Sequence, residues 1–205
     1  MTCFIVLEAL DGVGKTTLAR NLAEQYSFAA MSTPGVELKP IRESILDGLG
    51  ENQTARALFY CATVAAEGKK ARGVADSGQA VVMDRYIAST IAYAQARGVT
   101  ADLDALIPAM EKPDLCILLT LDEEERIKRM QSREEFTEED SETLDSSFRE
   151  TVLAELKRQS DVIVDLTGYD ESNAVDRILQ AIFDAGIDLN PEFVYEKCQE
   201  NKGKS

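Results

Sequence analysis

Close to the start of the chain, Ala9-Leu10-Asp11-Gly12-Val13-Gly14-Lys15-Thr16-Thr17 follows an apolar run and matches the phosphate-binding pattern GxxxxGK[ST], with Ala9 in place of the first glycine. Gly12 and Gly14 let the backbone turn so that its N–H groups point at phosphate oxygens, and the helix that follows adds its positive end. Lys15 supplies a point charge for the β- and γ-phosphates, and the Thr16 hydroxyl is placed to ligate Mg²⁺. The segment Asp11, Gly12, Val13, Gly14, Lys15, Thr16, Thr17 is therefore expected to hold ATP with Mg²⁺. A Cβ at Ala9 costs roughly 1 kcal/mol if that position needs a positive φ.

Two further groups narrow the chemistry. Val81-Val82-Met83-Asp84-Arg85-Tyr86 puts an acid at the end of a buried strand, where Asp84 can hold Mg²⁺ through water while Arg85 faces phosphate. Arg126, Arg129 and Arg133 stand at i, i+3 and i+7, one face of a helix that opens with Asp122-Glu123-Glu124-Glu125. Such a face can close over a transferring phosphoryl group, and it can equally form ion pairs on a solvated helix. Its place after the fourth strand favours function for Arg129 and Arg133. A GTPase is disfavoured, because the single Asn-Lys pair, Asn201-Lys202, lies in the tail, outside the strand-end context of a base-reading segment.

The elements that must position these residues follow from patterning. The continuous apolar run at residues 3–7 reads as a strand covered on both faces, the largely apolar segments 28–31, 80–83, 115–121 and 161–166 read as further strands, and helical periodicity covers about 16–26, 38–46 and 54–75. Five strands separated by helices predict an α/β fold of the P-loop NTPase type: a doubly wound parallel sheet with helices on both faces, a helical lid and ligands at the carboxyl ends of the strands. One kinase domain is expected over residues 1–187, with the lid at about 126–148 and a polar tail from 188 to 205.

Composition sets the limits. Lys and Arg number 22 against 37 Asp and Glu, a formal charge of −15 that repels nucleic acid polymers and anionic membranes. Histidine is absent, which removes the commonest general base and the commonest transition-metal ligand. The four cysteines are scattered outside any zinc or redox spacing and no apolar run is long enough for a membrane helix, so a reduced, cytoplasmic protein is expected.

Taken together, residues 7–17, Pro34-Gly35, Leu58-Phe59-Tyr60 and Asp84-Arg85-Tyr86 resemble the thymidylate kinase family in order and spacing, over residues 3–183 or so. The resemblance implies transfer of a phosphoryl group from ATP to a nucleoside monophosphate, most simply dTMP + ATP to dTDP + ADP, by a homodimer. It implies that Asp11 lies near the acceptor, that Arg85 grips the acceptor's phosphate with Arg42 in reach, and that Phe59 stacks on the base. Ser89 and Tyr93 match substrate contacts, and Arg129 and Arg133 match the lid's catalytic charge. The catalytic set is thus Lys15, Asp11, Arg85, Arg129 and Arg133. The chain departs from the family's usual pattern at Ser32-Thr33, where Arg-Glu is usual, at Thr63, which takes the place of a base-reading arginine and is expected as a substrate contact there, and at Thr90, often asparagine. The alternatives are a deoxynucleoside kinase, which needs a general base for which Glu8 is the evident candidate, and an ATP-binding protein without transferase activity.

Overall fold

The computed structural model describes residues 3–132, 138–187 and 189. Five parallel strands, β1 (Phe4–Glu8), β2 (Ala29–Ser32), β3 (Val81–Asp84), β4 (Leu115–Thr120) and β5 (Val162–Asp165), form one sheet in the order β2-β3-β1-β4-β5. The expected doubly wound sheet is therefore present, with strand bounds within a residue or so of those read from the sequence. In β1 successive side chains go to opposite faces: Ile5 and Leu7 join the core against α1 (Lys15–Tyr26) and α8 (Glu171–Asp184), while Phe4 and Val6 join the core against α3 (Gln53–Asp76). Leu7 is in register with Asp84 across β1 and β3, and Ser32 with Asp84 across β2 and β3, so the chemical residues gather at one end of the sheet. Since β3 separates β1 from β2 while β4 flanks β1 on the other side, the order reverses there and opens a crevice above β1 and β3.

Between strands lie α2 (Arg42–Leu49, preceded by a 3₁₀ turn at Lys39–Ile41), α4 (Ile87–Ala96), α5 (Glu123–Gln131), α6 (Glu138–Glu142) and α7 (Ser146–Gln159). Helix α4 escaped the periodicity reading for a physical reason: its sequence Ile-Ala-Ser-Thr-Ile-Ala-Tyr-Ala-Gln-Ala is apolar nearly all round, and seven of its ten residues are buried. It packs between α3 and α7 with no wet face to betray a helical period. Asn52, Asp122, Asp145 and Asp170 cap α3, α5, α7 and α8 by accepting from amides of the first turn. Helix α1 begins at Gly14 without any side-chain cap, which leaves its first N–H groups facing the crevice.

Helix α3 carries Gly68 in its interior because Tyr86 comes too close for a side chain there: a Cβ would collide with the Tyr86 hydroxyl, which donates to the Glu111 carbonyl at 2.9 Å. Tyr86 is 1% exposed and meets the edge of Phe4 at 5.3 Å, so it has nowhere to withdraw. Gly68→Ala gains about 1 kcal/mol of helix propensity and loses more by overpacking, so the expected net effect is a destabilisation of about 1–2 kcal/mol in urea unfolding. A variant as stable as the parent would refute the close-packing argument.

Candidate active site

The turn from β1 into α1 has the geometry its residue types require. Gly12 and Gly14 sit at φ 92° and 104°, where a side chain is strained. Gly12 has a second reason to be glycine: a Cβ would lie 2.7 Å from Met130 Cγ and 3.0 Å from Arg126, because α5 rests on the loop. Ala9, in contrast, is fully buried and is not among the positive-φ residues, so replacing the first glycine costs no backbone strain.

Lys15 is 5% exposed and folds back over the loop, donating to the carbonyls of Ala9 (3.1 Å) and Leu10 (3.0 Å). Burial, reinforced by the charge of Arg85, brings its ammonium down to about 8. Thr16 donates through Oγ1 to Asp84 Oδ2 at 2.5 Å, joining the start of α1 to the end of β3. The other Asp84 oxygen, Oδ1, is buried and has no hydrogen-bond partner. A hydroxyl and a carboxylate in contact, with one carboxylate oxygen unsatisfied, fit the oxygen-rich half-shell that Mg²⁺ takes beside nucleotide phosphates. Among the described residues no cluster of three or more Asp, Glu, Cys or His side chains forms a self-sufficient metal site.

Arg85 is the centre of the arrangement. Its Nη2 pairs with Asp11 Oδ1 at 2.5 Å, its Nη1 donates to Ser89 Oγ at 3.0 Å and to the Ala9 carbonyl at 3.4 Å, and its guanidinium lies 5.1 Å from the Tyr93 ring centre. Asp11 Oδ2 accepts from the Tyr93 hydroxyl at 2.8 Å. Burial pushes the Asp11 carboxyl up, yet the charges of Arg85 and Lys15 outweigh it and hold the group well below the usual carboxylate range. The sequence-predicted residues Asp11, Lys15, Thr16, Asp84, Arg85, Ser89 and Tyr93 are thus within one network.

They open into a cavity of about 580 Å³ that runs from Gly12, Gly14 and Thr17 past Asp84 to α3 and the Ser32-Thr33-Pro34 loop. Helix α3 presents Gln53, Arg56, Ala57 and Tyr60 to it, the i, i+3, i+4, i+7 set of one helical face. Two expected residues are therefore corrected. Phe59 does not line the cavity; one position earlier than Tyr60, it is turned about 100° away and instead packs its ring against Tyr60 at 5.3 Å. Thr63 is 2% exposed and donates to the Tyr60 carbonyl within its own helix, so it too is off the cavity wall. Tyr60 is the aromatic at the site. Its hydroxyl accepts from Arg42 Nε at 2.7 Å, and that guanidinium lies 5.7 Å from the ring centre, which brings Arg42 to the cavity as expected. Lys39, Arg56 and Arg97 also line it and were not foreseen; the helical phase of α3 was the signal that pointed to Arg56 and Tyr60.

The three spaced arginines of α5 divide. Arg126 is 1% exposed and pinned by Glu123, the Asp11 carbonyl and Thr143, so it binds α5 and the segment after it to the loop. Arg129 donates to the Val13 carbonyl at 3.3 Å and pairs with Glu125 at 2.5 Å, beside Gly14. Val13 itself is buried under this contact. Arg133 lies outside the described residues, as does the expected tail apart from Leu189.

Comparison with known proteins agrees with this geometry. The model of the family described as Thymidylate kinase matches residues 7–178. A probable thymidylate kinase of Methanococcus maripaludis (strain C7) is 33% identical over 200 residues, covering 92% of this chain and 99% of its own. One of Pyrococcus horikoshii is 40% identical over 153 residues, covering 67% of this chain and 74% of its own. Among solved structures, thymidylate kinase from Candida albicans superposes with a TM-score of 0.70 at 22% identity, over 91% of this chain and 93% of that one. That from Ehrlichia chaffeensis gives 0.65 at 21%, over 88% and 98%. A phosphate-binding loop, an acid–arginine strand end and an aromatic helix face meet in one cavity, and the sequence is similar over nearly its whole length to kinases of one kind: this chain belongs to the thymidylate kinase family.

Proposed function

We propose that this protein transfers the γ-phosphoryl group of ATP to the phosphate of dTMP, giving dTDP and ADP. The observation that carries the reading is the single cavity in which the loop of Gly12 to Thr17, the Asp84-Arg85 strand end and the Tyr60 face of α3 all take part. An oxygen of the acceptor's phosphate forms a bond to the γ-phosphorus as the bond from that phosphorus to the β,γ-bridging oxygen breaks, and the electron pair leaves with ADP. The attacking oxygen is already ionised, so positioning and charge neutralisation suffice and no general base is needed. A chain without histidine suits that demand.

In this reading the free N–H groups from Gly12 to Thr17 cradle the donor's phosphates, with Lys15 swinging from the Ala9 and Leu10 carbonyls onto them. Thr16 and Asp84 would hold Mg²⁺, which would supply neutralising charge to the donor's phosphates. Arg85 and Arg42 take the acceptor's phosphate, Asp11, Ser89 and Tyr93 border its sugar, and the Tyr60 ring supplies the stacking surface assigned by resemblance to Phe59. Arg129, with Arg133 in a lid at about 126–148, adds positive charge over the transferring group. A nucleoside kinase is disfavoured, because Glu8 has no exposed surface, does not line this cavity and has both oxygens engaged by Ser89 and Tyr86.

We also propose a homodimer in the cytoplasm. The outer face of α3, with Leu58 49% exposed beside exposed Ala62 and Ala66, supports a subunit contact, and free Cys3, Cys61 and Cys116 suit a reducing compartment. Among the described residues no helix is long and apolar enough to cross a membrane.

Three outcomes are expected. With ATP and Mg²⁺, dTMP is phosphorylated in preference to the other common monophosphates and to thymidine; Lys15→Ala lowers kcat by about 10³-fold or more, and a near-normal rate in that variant refutes the reading. ATP favours protonated Lys15, so affinity is full below pH 8 and falls above it; calorimetry in buffers of different ionisation heat finds close to one proton taken up per ATP at pH 9 and about a tenth of one at pH 7. Uptake that persists in Lys15→Ala refutes this assignment. Leu58→Asp converts the dimer to monomer in light scattering, and an unchanged mass excludes the α3 face.

A further inference from the structure

Glu8 ends β1 one residue before the phosphate-binding loop and has no exposed surface, yet the transfer chemistry makes no use of it. Its carboxylate reaches the start of α4 instead. Oε1 accepts from the Tyr86 amide at 2.9 Å and the Ser89 amide at 3.2 Å, and Oε2 accepts from the Ser89 hydroxyl. Tyr86 is the N-cap of α4, and its own side chain gives no cap; Glu8 thus caps this helix from another strand. The capped residues follow directly on Arg85, which sits at φ 64°, a left-handed conformation unusual for a residue with a side chain. Arg85 is held there from both directions, by its own amide donating to the Leu7 carbonyl at 3.1 Å and by the following amide donating to Glu8. Strain of this kind persists only where surrounding bonds over-determine it.

The side chain is governed by the same carboxylate. An ionised carboxylate only accepts, so the one proton of the Ser89 hydroxyl is committed to Glu8 and its lone pairs are left for Arg85 Nη1 at 3.0 Å. We propose that Glu8 is a positioning residue, which fixes both the backbone and the guanidinium of Arg85 so that it faces the acceptor's phosphate. This rests on the kinase reading above, because it presumes that Arg85 takes that phosphate. Arg85 is the charge that acts on Glu8; Lys15 of α1 and the Cys116 thiol of β4 feel its charge, Asp11 is linked to it through Arg85, and Lys112 and Asp161 line a small cavity together with it. Burial raises the Glu8 carboxyl above the usual range, so the ionised, positioning form is complete above that raised value and is lost as pH falls through it.

The test compares Glu8→Gln, which keeps size and one acceptor, with the parent. At pH 8 the variant is expected to lose about 30-fold in kcat/KM for dTMP, equal to about 2 kcal/mol, with KM for ATP changed less than twofold. The parent-to-variant ratio should shrink toward one as pH is lowered, which cancels titration of the substrates themselves. In an Arg85→Met background, Glu8→Gln should cost less than threefold more. Calorimetry with dTMP and thymidine reads the phosphate's share of binding directly: the parent should prefer dTMP, and Glu8→Gln should lose most of that preference. Ser89→Ala, which leaves both amide bonds of Glu8 in place, should lose about tenfold in the same term and decides the matter if Glu8→Gln does not fold. A Gln variant within threefold of the parent, a loss of equal size without Arg85, or a ratio that ignores pH overturns the inference alone. A parent that binds dTMP no better than thymidine overturns the kinase reading and the inference with it.

Discussion

The site depends on holding two cations, Lys15 and Arg85, close together in a largely desolvated place before any phosphate has arrived. Like charges there repel strongly, and burial disfavours each charge separately. Asp11 resolves the conflict: it pairs with Arg85, lies within reach of Lys15, and is itself fixed by the Tyr93 hydroxyl. The surrounding structure serves that triad. β1 and β3 set Asp84 and Arg85 beside the loop, α5 presses on Gly12 through Met130 and Arg126, and α4 carries Tyr93 to Asp11. A chain with formal charge −15 thus assembles a local concentration of positive charge by investing one well-placed acid in it.

How much of this could be read in the sequence differs with the kind of physics involved. Gly12, Gly14, Lys15 and Thr16 were legible because phosphate binding demands rare conformations and one charge at fixed offsets, and few other functions do. Asp84-Arg85 was legible as polar residues abruptly ending a buried run. The aromatic partner was placed one residue too early: Leu58-Phe59-Tyr60 offers two adjacent aromatics, and only the phase of α3 against the sheet, fixed by Ala57, Cys61 and Val64 in the core, turns Tyr60 inward to the cavity. The arginines of α5 share one spacing but have different fates, since Arg126 is buried against Glu123 of its own helix and against Thr143, which follows α6. Helix α4 was invisible to periodicity because burial all round erases the contrast that periodicity measures. Glu8 looked like a general base because a carboxylate at a strand end is chemically ambiguous, and the amides of Tyr86 and Ser89 that claim it arrive from 78 and 81 residues away.

The start of α1 and the start of α4 make an instructive pair. Both helices follow neighbouring central strands, β1 and β3, and neither is capped by its own preceding side chain. At α1 the amides stay free for a ligand. At α4 a carboxylate from β1 satisfies them permanently. One helix end is thus reserved for an anion that comes and goes and the other is filled by an anion built into the fold, using the same donors and the same axial field.

The unsatisfied Oδ1 of Asp84 has a broader consequence. A buried oxygen without a partner lowers the stability of the protein by itself, and in the function proposed above its partner is the Mg²⁺ of the working complex. Random improvement of heat resistance would find this position early: an amide or an apolar residue of similar size would relieve the isolated protein and remove its purpose. The resting state of this fold is therefore kept below the robustness its architecture allows, and libraries selected only for endurance should be expected to drift away from turnover at this strand end first.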